Sequence, residues 1–296
     1  MRIGWLEIEN FRGIKYLKLD SLGDVNIFIG KNNTGKSTIL ESIYLNVTWR
    51  EKVRLDFLEE KPWELIRKKR GEGEGGVSEY WAYKRTFPIK ITSLNLGTTH
   101  ISGPGIPSYE TKRENVVLLY PEIIREASFA LRVRNAIADL GAKALKDVTN
   151  LLKEFLGLDD LEFIEESEGK LFFLYSDRRV PISGEGDGIR IVFPIIGLLG
   201  ILKESIILIE EPEVHQHYRS IEMIANSIPR SVKNNKNQIF ITTQSLEFFK
   251  ILLPKLEKIN TKIFRCLELK KGTLNYKVYD AKSALAAIES IGLDLR

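Results

Sequence analysis

A chain of 296 residues, 43% hydrophobic and 28% charged, has enough apolar material for one large α/β domain with an elaborated insertion, and a second full catalytic domain beside it is a tight fit. With 44 basic against 40 acidic residues the formal net charge is +4, which permits contact with nucleic acid without demanding it and excludes a uniformly cationic coat. The lone cysteine, Cys266, excludes an internal disulfide framework; the opening MRIGWLEIENFRG has neither a secretory apolar core nor a membrane span, so the expected location is the cytoplasm, with no membrane partner.

Trp5 to Glu9 alternates as a strand does, Tyr16 to Leu19 reads as its partner, and Val25 to Ile29 is an apolar run stopped by Gly30. After Lys36, the residues Ile39, Leu40, Ile43, Tyr44 and Val47 recur at helical spacing. From about Trp49 to Tyr120 the pattern degrades. Arg67-Lys68-Lys69-Arg70 runs into a Gly/Glu tract and Gly97 to Pro107 holds several turn formers, which predicts an inserted, partly mobile region without long heptad arms. The basic run either tracks nucleic-acid phosphates or is a solvated loop.

A helical stretch follows from Pro121, and Ala144, Leu145, Val148, Leu151, Leu152 and Phe155 mark an amphipathic helix ending near Gly157. Leu161 to Ile164 and Leu171 to Tyr175 predict a hairpin, and Gly188 to Leu202 a buried helix. The β-branched runs 206–209 and 239–242 suit the middle of a parallel sheet. With the loop Gly30-Lys31-Asn32-Asn33-Thr34-Gly35-Lys36-Ser37 between strand and helix, the expected fold class is α/β, a P-loop NTPase with a central, largely parallel sheet, an N-terminal antiparallel portion and an inserted helical lid. The expected division is 1–48 (first lobe), 49–180 (insertion and hairpin) and 181–296 (second lobe).

Gly30-Lys31-Asn32-Asn33-Thr34-Gly35-Lys36-Ser37 fits G-x-x-x-x-G-K-[ST] at every fixed position and lies between a predicted strand and a predicted helix. The glycines let backbone N–H groups curl around a phosphate, the helix N-terminus adds partial positive charge, Lys36 bridges phosphates and the Ser37 hydroxyl ligates Mg²⁺. With Thr38 these residues form the expected ATP-binding set. Ile206 to Ile209 then ends in Glu210 and Glu211: the first acid at such a strand end holds the Mg²⁺ shell, and the second orients or deprotonates the attacking water.

These segments, together with Ile8-Glu9-Asn10-Phe11-Arg12-Gly13-Ile14 at the start, Glu210-Glu211-Pro212-Glu213-Val214-His215-Gln216-His217 and Phe240-Ile241-Thr242-Thr243-Gln244-Ser245, resemble the RecF-like and SMC-like ATPases of the ABC class. Within that class they are most similar to the ATPase module of the overcoming-lysogenization-defect (OLD) group, here without its TOPRIM nuclease. The resemblance implies a head domain that closes on ATP as a face-to-face homodimer and acts on DNA or on a partner protein. It also implies a signature loop acting in trans, for which Ser183, Gly186 and Gly188 are candidates in either of two registers. Arg12 matches a position close to the nucleotide, and His215 and His217 match the dimer seam, two histidines without a third ligand being a poor zinc site. Gln244 stands where the family usually has His, and no Gln lies between the phosphate loop and the signature candidate, which puts turnover in doubt more than binding. The alternatives are an ATPase subunit serving a separate nuclease or effector chain, and a nucleotide-gated module that does not hydrolyse.

Overall fold

The computed structural model describes residues 2–48, 62–69, 71, 88–101 and 116–291. In chain order the strands and helices are β1 (Leu6–Phe11), β2 (Ile14–Leu19), β3 (Val25–Gly30), α1 (Lys36–Thr48), α2 (Pro62–Lys69), β4 (Ile89–Ser93), β5 (Gly97–Ile101) and β6 (Val116–Leu119). There follow α3 (Pro121–Ile124), α4 (Ala127–Asp139), α5 (Ala142–Leu156), β7 (Leu161–Ser167), β8 (Lys170–Tyr175), β9 (Arg179–Pro181) and α6 (Asp187–Ile201). The chain continues through β10 (Ile206–Glu210), α7 (Tyr218–Asn235), β11 (Gln238–Thr243), α8 (Leu246–Leu252), β12 (Thr261–Lys270), β13 (Thr273–Tyr279) and α9 (Ala281–Ile291).

Among the described residues, ten strands form one sheet in the order β5-β4-β1-β2-β13-β12-β3-β11-β10-β6. The run β12, β3, β11, β10, β6 is parallel, whereas β1 pairs antiparallel with β2 and β4, so a largely parallel centre is joined to an antiparallel N-terminal portion. Strands β3, β10 and β11 are buried along their whole length, as continuous β-branched runs must be when both faces of a sheet are covered. The stretch 49–180, expected as an insertion, supplies β4, β5 and β6 to this sheet. Of the region from about 49 to 120 expected to be partly mobile, residues 49–61, 70, 72–87 and 102–115 lie outside the described residues. The hairpin predicted at 161–175 is present and gains β9 as a third strand.

Helix α1 is buried nearly all round, a surprise for a sequence with Glu41, Ser42 and Asn46 in it. The β4–β5 hairpin explains the asparagine: Asn46 Nδ2 donates to the Ile91 carbonyl at 2.9 Å and to Thr99 Oγ1 at 3.0 Å, and its Oδ1 accepts from Ser93 at 2.5 Å. Gln238 is satisfied likewise, accepting from Ile3 N and donating to the carbonyls of Ile3 and Gly23, each at 2.8 Å, which pins the N-terminal strand entry beside β11. Buried amides paired this fully fix register, where apolar side chains would allow sliding.

Phe28 of β3 and Phe264 of β12 stack with centroids 5.0 Å apart. The two strands approach so closely at their ends that a Cβ on Gly30 would lie 2.3 Å from the Cys266 carbonyl oxygen. Backbone cannot yield as a side-chain tip does, so Gly30→Ala is expected to destabilise by on the order of 3 kcal/mol, a fall in melting temperature of roughly 6–12 °C. A thermal melt of the variant within 2 °C of wild type would show that β12 stands off from the loop.

Candidate nucleotide site

The phosphate loop leaves β3 at Gly30, turns through Asn33 at φ 61° and Gly35 at φ 87°, and enters α1 at Lys36. A β-carbon is strained at such φ values, and asparagine and glycine tolerate them best. Thr34 Oγ1 donates to the Lys31 carbonyl at 2.9 Å and steadies the turn. Lys36 is buried, and its ammonium curls back onto the carbonyls of Gly30 (2.8 Å) and Lys31 (2.7 Å). Burial lowers its pKa from the ordinary lysine value, against the carboxylates of Glu211, Glu210 and Glu213, which raise it together with Cys266. The N–H groups of Gly35, Lys36 and Ser37 have no acceptor among the described residues. Three free donors and an ammonium at one helix N-terminus fit a phosphate group. Asn32 and Lys31 are exposed beside this mouth, and Thr38 is buried in the first turn of α1.

Sheet order brings the acids to the same place. Because β11 lies between β3 and β10, the end of β10 faces the start of α1, and the Ser37 hydroxyl bonds Glu210 Oε1 across 173 residues of sequence. A hydroxyl beside a carboxylate is the hard-oxygen donor pair that Mg²⁺ takes, with phosphate oxygens and water completing its shell. Glu211 turns off the strand at φ 44°, held by its N–H on the Thr242 carbonyl at 3.0 Å. Burial, and after it the charge of Glu210, raise the pKa of Glu211 above the ordinary carboxylate value.

Two acids and one base that local pattern does not reveal complete the arrangement. Glu213 lies under the switch strand, where its Oε1 accepts from Thr243 Oγ1 at 2.6 Å and from the N–H groups of Gln244 and Ser245 at 3.3 Å. Burial still raises its pKa, against the lowering effect of those bonds. The acidic strand end and the switch are thereby tied together, and Gln244 is positioned through its backbone. Ser245 caps α8. Glu41, fully buried, pairs with Arg12 Nε at 2.6 Å and with Lys69 Nζ at 2.9 Å, and Lys69 also meets Glu210.

Arg12, expected beside the nucleotide by resemblance, pairs its guanidinium with Glu41 and donates to the Ile66 carbonyl. The basic run is not a solvated loop at its described members: Arg67 is buried and Lys69 is ion-paired inside the site, because α2 turns them toward α1, while Arg70 lies outside the described residues.

Ser183 sits in a 3₁₀ turn, Gly186 caps α6 and Gly188 lies in its first turn, against Ser220 Oγ. No hydrogen bond or ion pair joins them to the phosphate loop of their own chain among the described residues. His215 takes φ 60°, and exposed His217 precedes α7; no group of three or more His, Cys, Asp or Glu that could hold a metal occurs among the described residues. No described helix is long and apolar enough to cross a membrane.

The model of the AAA ATPase domain family matches residues 1–74 and 92–248, which takes in the phosphate loop, the acidic strand and the switch. The chain belongs to this family. This AAA ATPase domain is 32% identical over 121 residues to an uncharacterized protein of Methanocaldococcus jannaschii, covering 38% of this chain and 98% of that one. It is 26% identical over 176 residues to the DNA double-strand break repair Rad50 ATPase of Pyrococcus abyssi, covering 56% of this chain and 19% of that protein, so it spans about a fifth of that relative's length. The Smc head domain with an extended coiled coil, bound to the C-terminal domain of ScpA and derived from Pyrococcus furiosus, superposes with a TM-score of 0.57 at 12% identity. That match covers 98% of this chain and 99% of the other, and establishes the shared fold. The chain is accordingly a member of the AAA ATPase domain family that is similar over part of its length to a Rad50 ATPase and shares the fold of an SMC head.

Proposed function

We propose that this AAA ATPase domain binds MgATP between β3, α1 and β10, hydrolyses it, and closes on a second copy of itself to control DNA or a partner protein, in the manner of the OLD group. The observation that carries the reading is the Ser37–Glu210 contact, which puts a metal-type oxygen pair beside an ammonium and three free N–H donors. Lys36 exchanges two carbonyls for phosphate oxygens, and the N–H groups of Gly35, Lys36 and Ser37 donate hydrogen bonds to the remaining phosphate oxygens. Mg²⁺, held by Ser37 and Glu210, supplies charge neutralisation of the transferring phosphoryl group when bound. Glu211, with its raised pKa, takes the proton of the attacking water. Gln244, fixed through Glu213, offers the neutral amide that reads the terminal phosphate.

The loop bearing Ser183, Gly186 and Gly188 opens α6, whose N-terminus is a donor surface for a phosphate on the other copy. The Rad50 relative is a DNA repair ATPase and the Smc neighbour is bound to a protein, which supports DNA or an effector, a separate nuclease chain included, as the controlled partner. The test is light scattering after size exclusion on Glu211→Gln, which removes the base and keeps the shape. The mass is expected to double with MgATP and to stay at one copy with MgADP or no nucleotide. A single-copy mass at saturating MgATP would remove the closure step, and failure to bind ATP at all would remove the whole reading.

A further inference from the structure

Lys69 ends α2, and its side chain is only 7% exposed. Its ammonium lies 2.9 Å from Glu41 Oε1, contacts Glu210 Oε2 and sits 5.6 Å from the centre of the Tyr120 ring. Glu41 gives its other oxygen to Arg12. A continuous line of contacts therefore runs from Arg12 through Glu41, Lys69 and Glu210 to Ser37, alternating two cations with two carboxylates. Desolvating four charges is a poor way to stabilise a fold, and such a cluster is better understood as a device that fixes geometry.

The division of Glu210 says which geometry. One oxygen holds Lys69 and the other holds Ser37, and the terminal torsion of a glutamate, broad when free, has no freedom left once one oxygen is pinned. We propose that Lys69 is a positioning residue for the Mg²⁺ site: it anchors Glu210 by Oε2 so that Oε1 stays beside Ser37, and it makes metal binding depend on the docking of α2. The inference rests on the MgATP reading above.

The experiment titrates Mg²⁺ into protein with a fluorescent ATP analogue and reads the Mg²⁺ concentration at half-maximal binding, with no turnover needed. Partners that orient a metal ligand commonly change metal affinity by about 10–100-fold when removed, so Lys69→Met is expected to raise the midpoint about tenfold or more. Lys69→Arg, which keeps the charge, should stay within about threefold of wild type, and Lys69→Met added to Glu210→Gln should shift the midpoint no further, since both act on one ligand. Thermal melts establish that each variant is folded, and Lys69→Gln carries the test if the methionine does not fold. An unchanged midpoint in a folded variant would reduce Lys69 to a structural role, and a lowered one would make it a competitor of the metal. Either overturns the proposal. A wild type that binds no nucleotide, or binds it without Mg²⁺ dependence, overturns the MgATP reading itself.

Discussion

Lys36→Ala is expected to weaken ATP binding by about two to four orders of magnitude and to leave the fold in place. The ammonium makes two hydrogen bonds to its own loop, and in the bound state those same donors face phosphate oxygens. Charge-assisted bonds contribute roughly 1.5–3 kcal/mol each, and about 1.4 kcal/mol is a factor of ten in affinity, so losing two gives that range. Stability should hardly move. Burial lowers this lysine's pKa, which means the folded state disfavours the ammonium relative to water, and alanine at a helix start removes that penalty. Calorimetric titration with MgATP, beside melts with and without nucleotide, checks both halves. Wild-type affinity in the variant would place the phosphates elsewhere, and a collapsed melt would show that the lysine holds the loop together.

The nucleotide loop and the acidic strand were legible in sequence because their constraints are local. Gly30 must lack a Cβ where Cys266 crosses it, Gly35 must take a positive φ, and β-branched runs must lie where both sheet faces are covered. What escaped was written across long separations. Strands β12 and β13 enter the sheet between β3 and β2, yet β13 leaves Thr273, Asn275 and Lys277 exposed, so its pattern is that of any half-solvated segment. The role of Lys69 is invisible in a basic run, since the meaning of its charge lies in Glu41 and Glu210, on two other elements. Glu213 stands in the sequence as one residue of the Glu210 to His217 segment with no role of its own, and only the neighbouring switch strand gives it partners.

Glu211→Gln is expected to keep MgATP binding and to cut turnover by about 10²–10⁴-fold, the range that a positioned general base contributes. The amide preserves the side chain's size, and the strand exit at φ 44° is held by the backbone bond to Thr242, so the loss is chemical and not architectural. The pH dependence separates this from mere repulsion of phosphate. A base works when deprotonated, and burial together with Glu210 raises the pKa of Glu211, so wild-type turnover should fall as pH drops through a value above the ordinary carboxylate range. Removing the neighbouring charge with Glu210→Gln lowers that pKa, and the acid limb of whatever turnover survives should move to lower pH. Phosphate release measured across pH for wild type and both variants decides it. Full turnover in Glu211→Gln, or an acid limb that stays put in Glu210→Gln, would transfer the base to another group, and the buried carboxylate of Glu213 would be the first to examine.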